Sequence, residues 1–276
     1  MSTISPADVK KLRDITGAGM MDCKAALTES GGDFDKAIEY LRKKGQKLSI
    51  KRADREAKEG AVIALVSDDK KRGVIVKLSS ETDFVSKNEN FINLATSFAK
   101  LALDKMPGSL EELLQAPFNN ISVAEKVAEQ VGVIGEKIEL AEYTFLKAPM
   151  VAPYIHMGNK AAVLVGLNKD NDSFFEPGRD VAMQVAAMRP IAVNEDGVDA
   201  SVIEKEIEIG MEQARKEGKP ENMLENIAKG KLRKFFQETT LLNQTFVKDN
   251  KKTVQQFLHD MDKDLTVTDF KHVTLG

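Results

Sequence analysis

One order of elements is written twice along this chain, and any fold it adopts has to accommodate both passes. Ala61 to Val66 and Gly73 to Leu78 are short apolar runs on either side of a polar turn, Ser67 to Arg72, and together they read as a hairpin. An amphipathic helix from Asn88 follows, with Phe91, Leu94, Ala95, Phe98, Leu101 and Ala102 at helical spacing. Helical segments at about Leu110 to Leu114 and Ser122 to Val131 come next, then a strand from Lys137 to Leu146. The second pass begins at once. Val151 to His156 and Ala161 to Leu167 read as another hairpin, Asp180 to Met188 as a helix, and Leu265 to Leu275 as a closing strand. The pattern predicts an α+β fold with antiparallel sheets and a diverged internal duplication, residues 60–147 forming one core subdomain and 148–276 the other.

Two helical pieces fall outside this repeat. In residues 1–45, Ser5, Pro6 and Asp8 signal a helix start, Gly17 and Gly19 stop it, a helix from about Met21 ends at Gly31-Gly32, and Phe34, Ile38 and Leu41 mark a third helix before Gly45. Residues 46–59 carry charge almost without an apolar face, as a solvated linker or an exposed helix would, so the first module is expected to be tethered with freedom to reorient. Within the second pass, Ile203, Ile207, Met211 and Ala214 form one stripe and Leu224, Ile227, Ala228, Leu232 and Phe235 another. Gly218-Lys219-Pro220 lies between them, giving an antiparallel helical hairpin at about 201–236 that lies on its own domain, projects into solvent or packs on another chain.

Composition narrows the function. The chain has 40 Lys and Arg against 43 Asp and Glu, so no global field draws it to nucleic acid or to an anionic membrane. No stretch approaches the roughly 18 to 20 apolar residues of a membrane span, and the start lacks a basic segment followed by an apolar run, so a cytoplasmic chain is expected. Cys23 is the single cysteine, in keeping with a reducing compartment. His156, His259 and His272 lack metal-ligand spacing, and Gly17-Ala18-Gly19 is a helix stop rather than a phosphate loop, because no strand precedes it. A nucleophilic Cys23–His156 pair has no polarising neighbour to support it. No cofactor, no metal and no enzymatic activity are expected.

The segment with the most specific chemistry is Glu81-Thr82-Asp83-Phe84-Val85-Ser86-Lys87-Asn88, which sets an acid and a large aromatic at the tip of a short turn between a strand and a helix. Phe84 either folds back as a plug in its own core or projects as a wedge into another protein.

This segment and Leu12-Arg13-Asp14-Ile15-Thr16-Gly17-Ala18-Gly19-Met20-Met21-Asp22-Cys23-Lys24-Ala25-Ala26-Leu27 together resemble the bacterial translation elongation factor Ts family. Val133-Ile134-Gly135-Glu136, Tyr154-Ile155-His156, Gly218-Lys219-Pro220 and Thr240 to Val247 agree with it in the same order. The resemblance implies a guanine-nucleotide exchange factor for elongation factor Tu, bound in its GDP and nucleotide-free states. It also implies an N-terminal ubiquitin-associated-like three-helix module, a duplicated core and a projecting helical hairpin. By position, Asp83 and Phe84, flanked by Thr82 and Val85, would be inserted between helices of the partner's nucleotide domain and disturb its Mg²⁺ and phosphate site. Leu12, Met20, Met21 and Lys24 would touch that domain from the module, Ile134, Gly135 and His156 would line the core contact, and Val247 would face another partner domain. One of Met20 and Met21 is expected to fill the module's own core. Long family members carry a further C-terminal helix after the closing strand, a contact not assumed for this chain, and Lys248 stands where some members have a hydrophobic residue. The stoichiometry, including a dimer of the complex, is left open. The competing reading, from another class, is a scaffold whose N-terminal module binds a protein without nucleotide exchange.

Overall fold

Ser5 accepts a hydrogen bond from the Asp8 backbone N–H while the Asp8 carboxylate accepts one from the Ser5 N–H, and this reciprocal cap, with Pro6 in first position, starts α1 (Pro6–Thr16). Gly17 ends it at φ 72°, left-handed backbone that favours a residue without Cβ. With α2 (Met20–Glu29) and α3 (Phe34–Lys51) it encloses a small core of Val9, Leu12, Ala18, Cys23, Ala26, Leu27 and Ala37. The computed structural model describes residues 4–275.

The first α+β pass runs β1 (Glu59–Val66), β2 (Arg72–Ser80), α4 (Asp83–Ser86), α5 (Glu89–Lys105), α6 (Leu110–Gln115), a minimal ribbon of β3 (Pro117–Phe118) and β4 (Ile121–Ser122), α7 (Val123–Ile134) and β5 (Ile138–Lys147). The second runs β6 (Met150–Ile155), β7 (Ala161–Leu167), α8 (Phe175–Met188), α9 (Ala200–Lys216), α10 (Glu221–Thr239), β8 (Thr245–Phe246), β9 (Asp249–Thr253), α11 (Val254–His259) and β10 (Val267–Thr274). Both passes close alike. β5 pairs antiparallel with β2, and β10 pairs antiparallel with β7, so the second strand of each hairpin is central in a three-stranded sheet.

Alternation along β1 and β2 divides their side chains between two interiors. Ala61, Ile63, Val74, Val76 and Leu78 face the helices, against Phe91, Phe98, Leu113, Val127 and Val131. Val62, Ala64 and Ile75 face the other sheet, against Val151, Ala162, Leu164 and Val273. Burial on both faces is why these strands read as continuous apolar runs rather than as alternating ones. The outer face of the second sheet, Val163, Val165 and Leu167, is covered by Val181, Ala182 and Val185 of α8.

The expected linker is shorter than 46–59, because α3 continues through Gly45 to Lys51 and the irregular stretch spans only residues 52–58. Gly45 is a crossing point rather than a stop. A Cβ on it would lie 2.7 Å from the carbonyl oxygen of Ala128, and one on Gly132 would lie 2.8 Å from Gly45 Cα, so α3 and α7 pass with their backbones in contact. Arg42 reaches Glu129 across this crossing at 2.6 Å, and Leu48 packs on the first core. The module is thus docked through α3, against the expectation of free reorientation.

α9 and α10 form the expected hairpin, packed through small residues: Gly210 and Ala214 are buried against Leu224 and Ala228. Ile207 and Met211, expected in the stripe, are half-buried at its margin, and Phe236 rather than Phe235 is the buried aromatic at the base, beside Ala192 and Val198. Gly218, at φ 74°, makes the turn, and Arg215 grips Glu221 through two nitrogens across it.

His272, on β10 opposite Val163, has its Nε2 buried without a hydrogen-bond partner among the described residues. Burial pushes its pKa down, and the charge of Arg189 pushes the same way. The unfolded chain therefore takes up this proton first as pH falls through about 6.5. Stability from a neutral His272 is present above that value and is lost below it. In urea titrations between about pH 7 and about pH 5.5, wild type should lose stability more steeply than His272→Phe; equal slopes would remove His272 as the cause.

Candidate partner interface

The turn after β2 is held from several directions. Ser80, fully buried, donates through its hydroxyl to the Thr82 carbonyl at 3.1 Å. Thr82, in extended conformation, precedes α4 as its cap, and its backbone N–H and hydroxyl both donate to the Glu136 carboxylate, at 3.1 and 2.8 Å. Glu81 accepts from Arg52 at 3.0 Å, from Arg55 at 3.1 Å and from the Lys137 backbone N–H. These donors hold its carboxyl below the usual range, the Lys137 N–H most strongly, with the two arginines adding to it. On the far side, Asn88 caps α5 by accepting from the Asn90 N–H at 2.9 Å.

α4 is a single turn, and Val85 packs inward on the first core. Successive helical side chains point about 100° apart, so with Val85 anchored its neighbour is turned outward. Phe84 is 86% exposed, which rules out the intramolecular plug. Asp83 pairs with Lys87 one turn on, at 2.6 Å, and this hydrogen-bonded charge keeps its carboxyl low. The acid at the tip is therefore already partnered by a cation.

Several expected contact residues gather at the same end of the molecule. Ile134 and Gly135 close α7 directly before Glu136, and among the described residues nothing lies within 4 Å of where a Cβ on Gly135, at φ 81°, would be. The α1–α2 turn meets that end of α7, since a Cβ on Gly17 would lie 3.6 Å from Val133. This brings Met20 and Met21 near it. Both are exposed, at 42% and 76%, against the expectation that one would be core, because Cys23, Ala26 and Leu27 already fill the inner face of α2. Lys24 is exposed beside them. Leu12 differs: it is fully buried in the module core, so it supports this surface from beneath instead of offering side chain to a partner.

β6 starts beside the β1–β2 turn, where the Val151 N–H donates to the Lys70 carbonyl, and runs along the first sheet toward the end from which Glu81 departs. That course carries His156 to the same end, its Nδ1 3.2 Å from the Tyr154 hydroxyl. Met157, beside it, is 84% exposed and was not singled out in the sequence; a lone methionine in a polar turn carries no periodic signal. Val247 sits apart on the β8–β9 turn, its backbone N–H donating to Gln184 of α8. Lys248, next to it, spends its charge on Asp180 at 2.6 Å.

Among the described residues no group of three or more His, Cys, Asp or Glu is placed to hold a metal ion, and no helix is long and apolar enough to cross a membrane. Cys23 is buried, with burial pushing its thiol up, away from the reactive thiolate.

A family model described as Elongation factor TS matches residues 81–276. The chain is 54% identical to the elongation factor Ts of Christiangramia forsetii over 276 residues, covering all of both chains, and 54% identical to that of Flavobacterium psychrophilum with the same coverage. It is 46% identical to that of Chlorobaculum parvum over 270 residues, 95% of this chain and 94% of that one. The chain belongs to the elongation factor Ts family, nucleotide exchange factors of translation elongation.

Proposed function

We propose that this chain binds elongation factor Tu in the cytoplasm and promotes GDP release by pressing Phe84 between helices of its nucleotide domain, disturbing the Mg²⁺ and phosphate site. The observation that carries this is a large apolar side chain left in solvent on a one-turn helix that is pinned on both sides. Met20, Met21 and Lys24 meet the same domain from the three-helix unit, which serves as a ubiquitin-associated-like docking module; Ile134, Gly135 and His156 complete the central contact, with Thr82, Asp83 and Val85 around the wedge. Val247 makes a separate, outer contact. The core is read as a duplicated unit, with α9 and α10 inserted as a hairpin.

The mechanism has a thermodynamic requirement. The factor must bind nucleotide-free partner more tightly than GDP-bound partner, and GDP must weaken the factor by the same ratio. A ten-thousandfold faster release lowers the barrier by roughly 5.5 kcal/mol. Burying one phenylalanine contributes about 1.5 to 3 kcal/mol, so several contacts must strain the nucleotide site together. Mixing the chain with purified elongation factor Tu carrying fluorescent GDP should accelerate nucleotide loss by orders of magnitude. Binding without acceleration would instead select the scaffold reading.

A further inference from the structure

A helical turn of four residues does not hold itself in water, and α4 turns inward only Val85, on the apolar core, and the small Ser86. The segment just before Phe84 is densely bonded. There, two short stretches grip each other reciprocally: the Glu136 carboxylate takes the backbone N–H of Thr82, and the Glu81 carboxylate takes the backbone N–H of Lys137. Each acid thus fixes the residue that follows the other. The Glu136 carboxylate also takes the Thr82 hydroxyl, and Glu81 is also held by Arg52 and Arg55. Arg52 directly follows α3, the helix that carries the N-terminal unit and crosses α7 at Gly45. Both Arg52 and Glu81 have four-fifths of their side chains shielded from solvent, which sets this contact apart from an exposed surface pair.

We infer that Glu81 and Glu136 are positioning residues for the wedge: their reciprocal bonds fix the angle at which α4 projects Phe84, and Arg52 ties that angle to the helix on which the N-terminal unit rides. Neither acid need touch the partner. Their effect belongs to the step at which Phe84 is driven in, because a mobile turn can still dock but spends little of its time correctly aimed. The low pKa of Glu81 agrees with a carboxylate that stays charged in this role at neutral pH.

The inference rests on the wedge reading, so the test carries a separate control for that reading. Full-length Glu81→Ala, Glu136→Ala and the corresponding Gln variants would be compared with Phe84→Ala in stopped-flow release of fluorescent GDP from elongation factor Tu, over a range of factor concentrations. Thermal unfolding and amide hydrogen exchange of the peptide spanning 82–88 would be followed alongside. For the Ala variants we expect the maximum release rate at saturating factor to fall about tenfold, with a small change in the half-saturating concentration and faster hydrogen exchange in 82–88. The Gln variants, which keep an acceptor oxygen, should recover part of the rate. Wild-type maximum rates in folded Ala variants, or a loss that only tracks the unfolded fraction, would overturn the inference. If Phe84→Ala itself releases GDP at the wild-type rate, the wedge reading fails instead.

Discussion

Phe84→Ala is expected to slow stimulated GDP release about ten- to hundredfold while leaving the unfolding midpoint of the chain where it is. The rate effect follows from the roughly 1.5 to 3 kcal/mol that burial of the ring supplies only in the complex, at about 1.4 kcal/mol per factor of ten. Unchanged stability follows from the 86% exposure of the ring in the free protein: truncation removes almost no packing, whereas a phenylalanine plugging a core would cost about 3 to 5 kcal/mol. Asp83→Asn should have the smaller effect. Lys87 already satisfies Asp83 in the free chain, so its charge is available to the partner's Mg²⁺ site only if that pair opens. Release rates measured on the two folded variants decide both points, and a Phe84→Ala variant as fast as wild type would remove the wedge.

Gly45→Ala should lower stability by about 1 to 3 kcal/mol, opposite in sign to the usual gain from this substitution in a helix interior. The added carbon would sit 2.7 Å from a backbone oxygen of α7, which cannot swing aside as the end of a side chain can. The helices must separate, loosening the Arg42–Glu129 pair and the docking of the whole N-terminal unit. Gly230→Ala in α10 is the matched control, since none of the described residues lies within 4 Å of its would-be Cβ; it should gain up to about 1 kcal/mol. Urea unfolding of both, with proteolysis at residues 52–58 to report undocking, checks the pair. Two stabilised variants would show that the crossing relaxes freely.

The elements were legible where periodicity was strong. The two hairpins and the helices α5 and α7 fall within a few residues of their expected bounds, because β-branched runs and 3.6-residue spacing act locally. Gly45 was misread since a glycine that ends a helix and one that lets two helices touch look the same in sequence; only the partner, Gly132, tells them apart. The pairing of Met20 with Met21 on the outside was hidden for a related reason, because the inner face of α2 is decided by what α1 and α3 bring to it. Phe84 was identified as the residue of interest, but its direction depends on Glu136, more than fifty positions away. Contacts between distant segments leave no periodic trace, so the clasp beneath the wedge could not be read from local pattern.

The shared interior between the two sheets also bears on how the protein is made. Val62, Ala64 and Ile75 leave the ribosome well before Val151, Ala162 and Leu164, the residues that cover them. From Ile75 to Leu164 is about 90 positions, which at 5–20 residues per second is roughly 5 to 18 s of synthesis. Within that interval β1 and β2 can pair and pack on α5, and β5 can join them only once Lys147 is made, while the other face stays open and Val273 arrives later still. A nascent chain paused in this window presents an uncovered, strand-forming apolar face, the kind of surface that chaperones recognise and that neighbouring chains on a polysome can pair with.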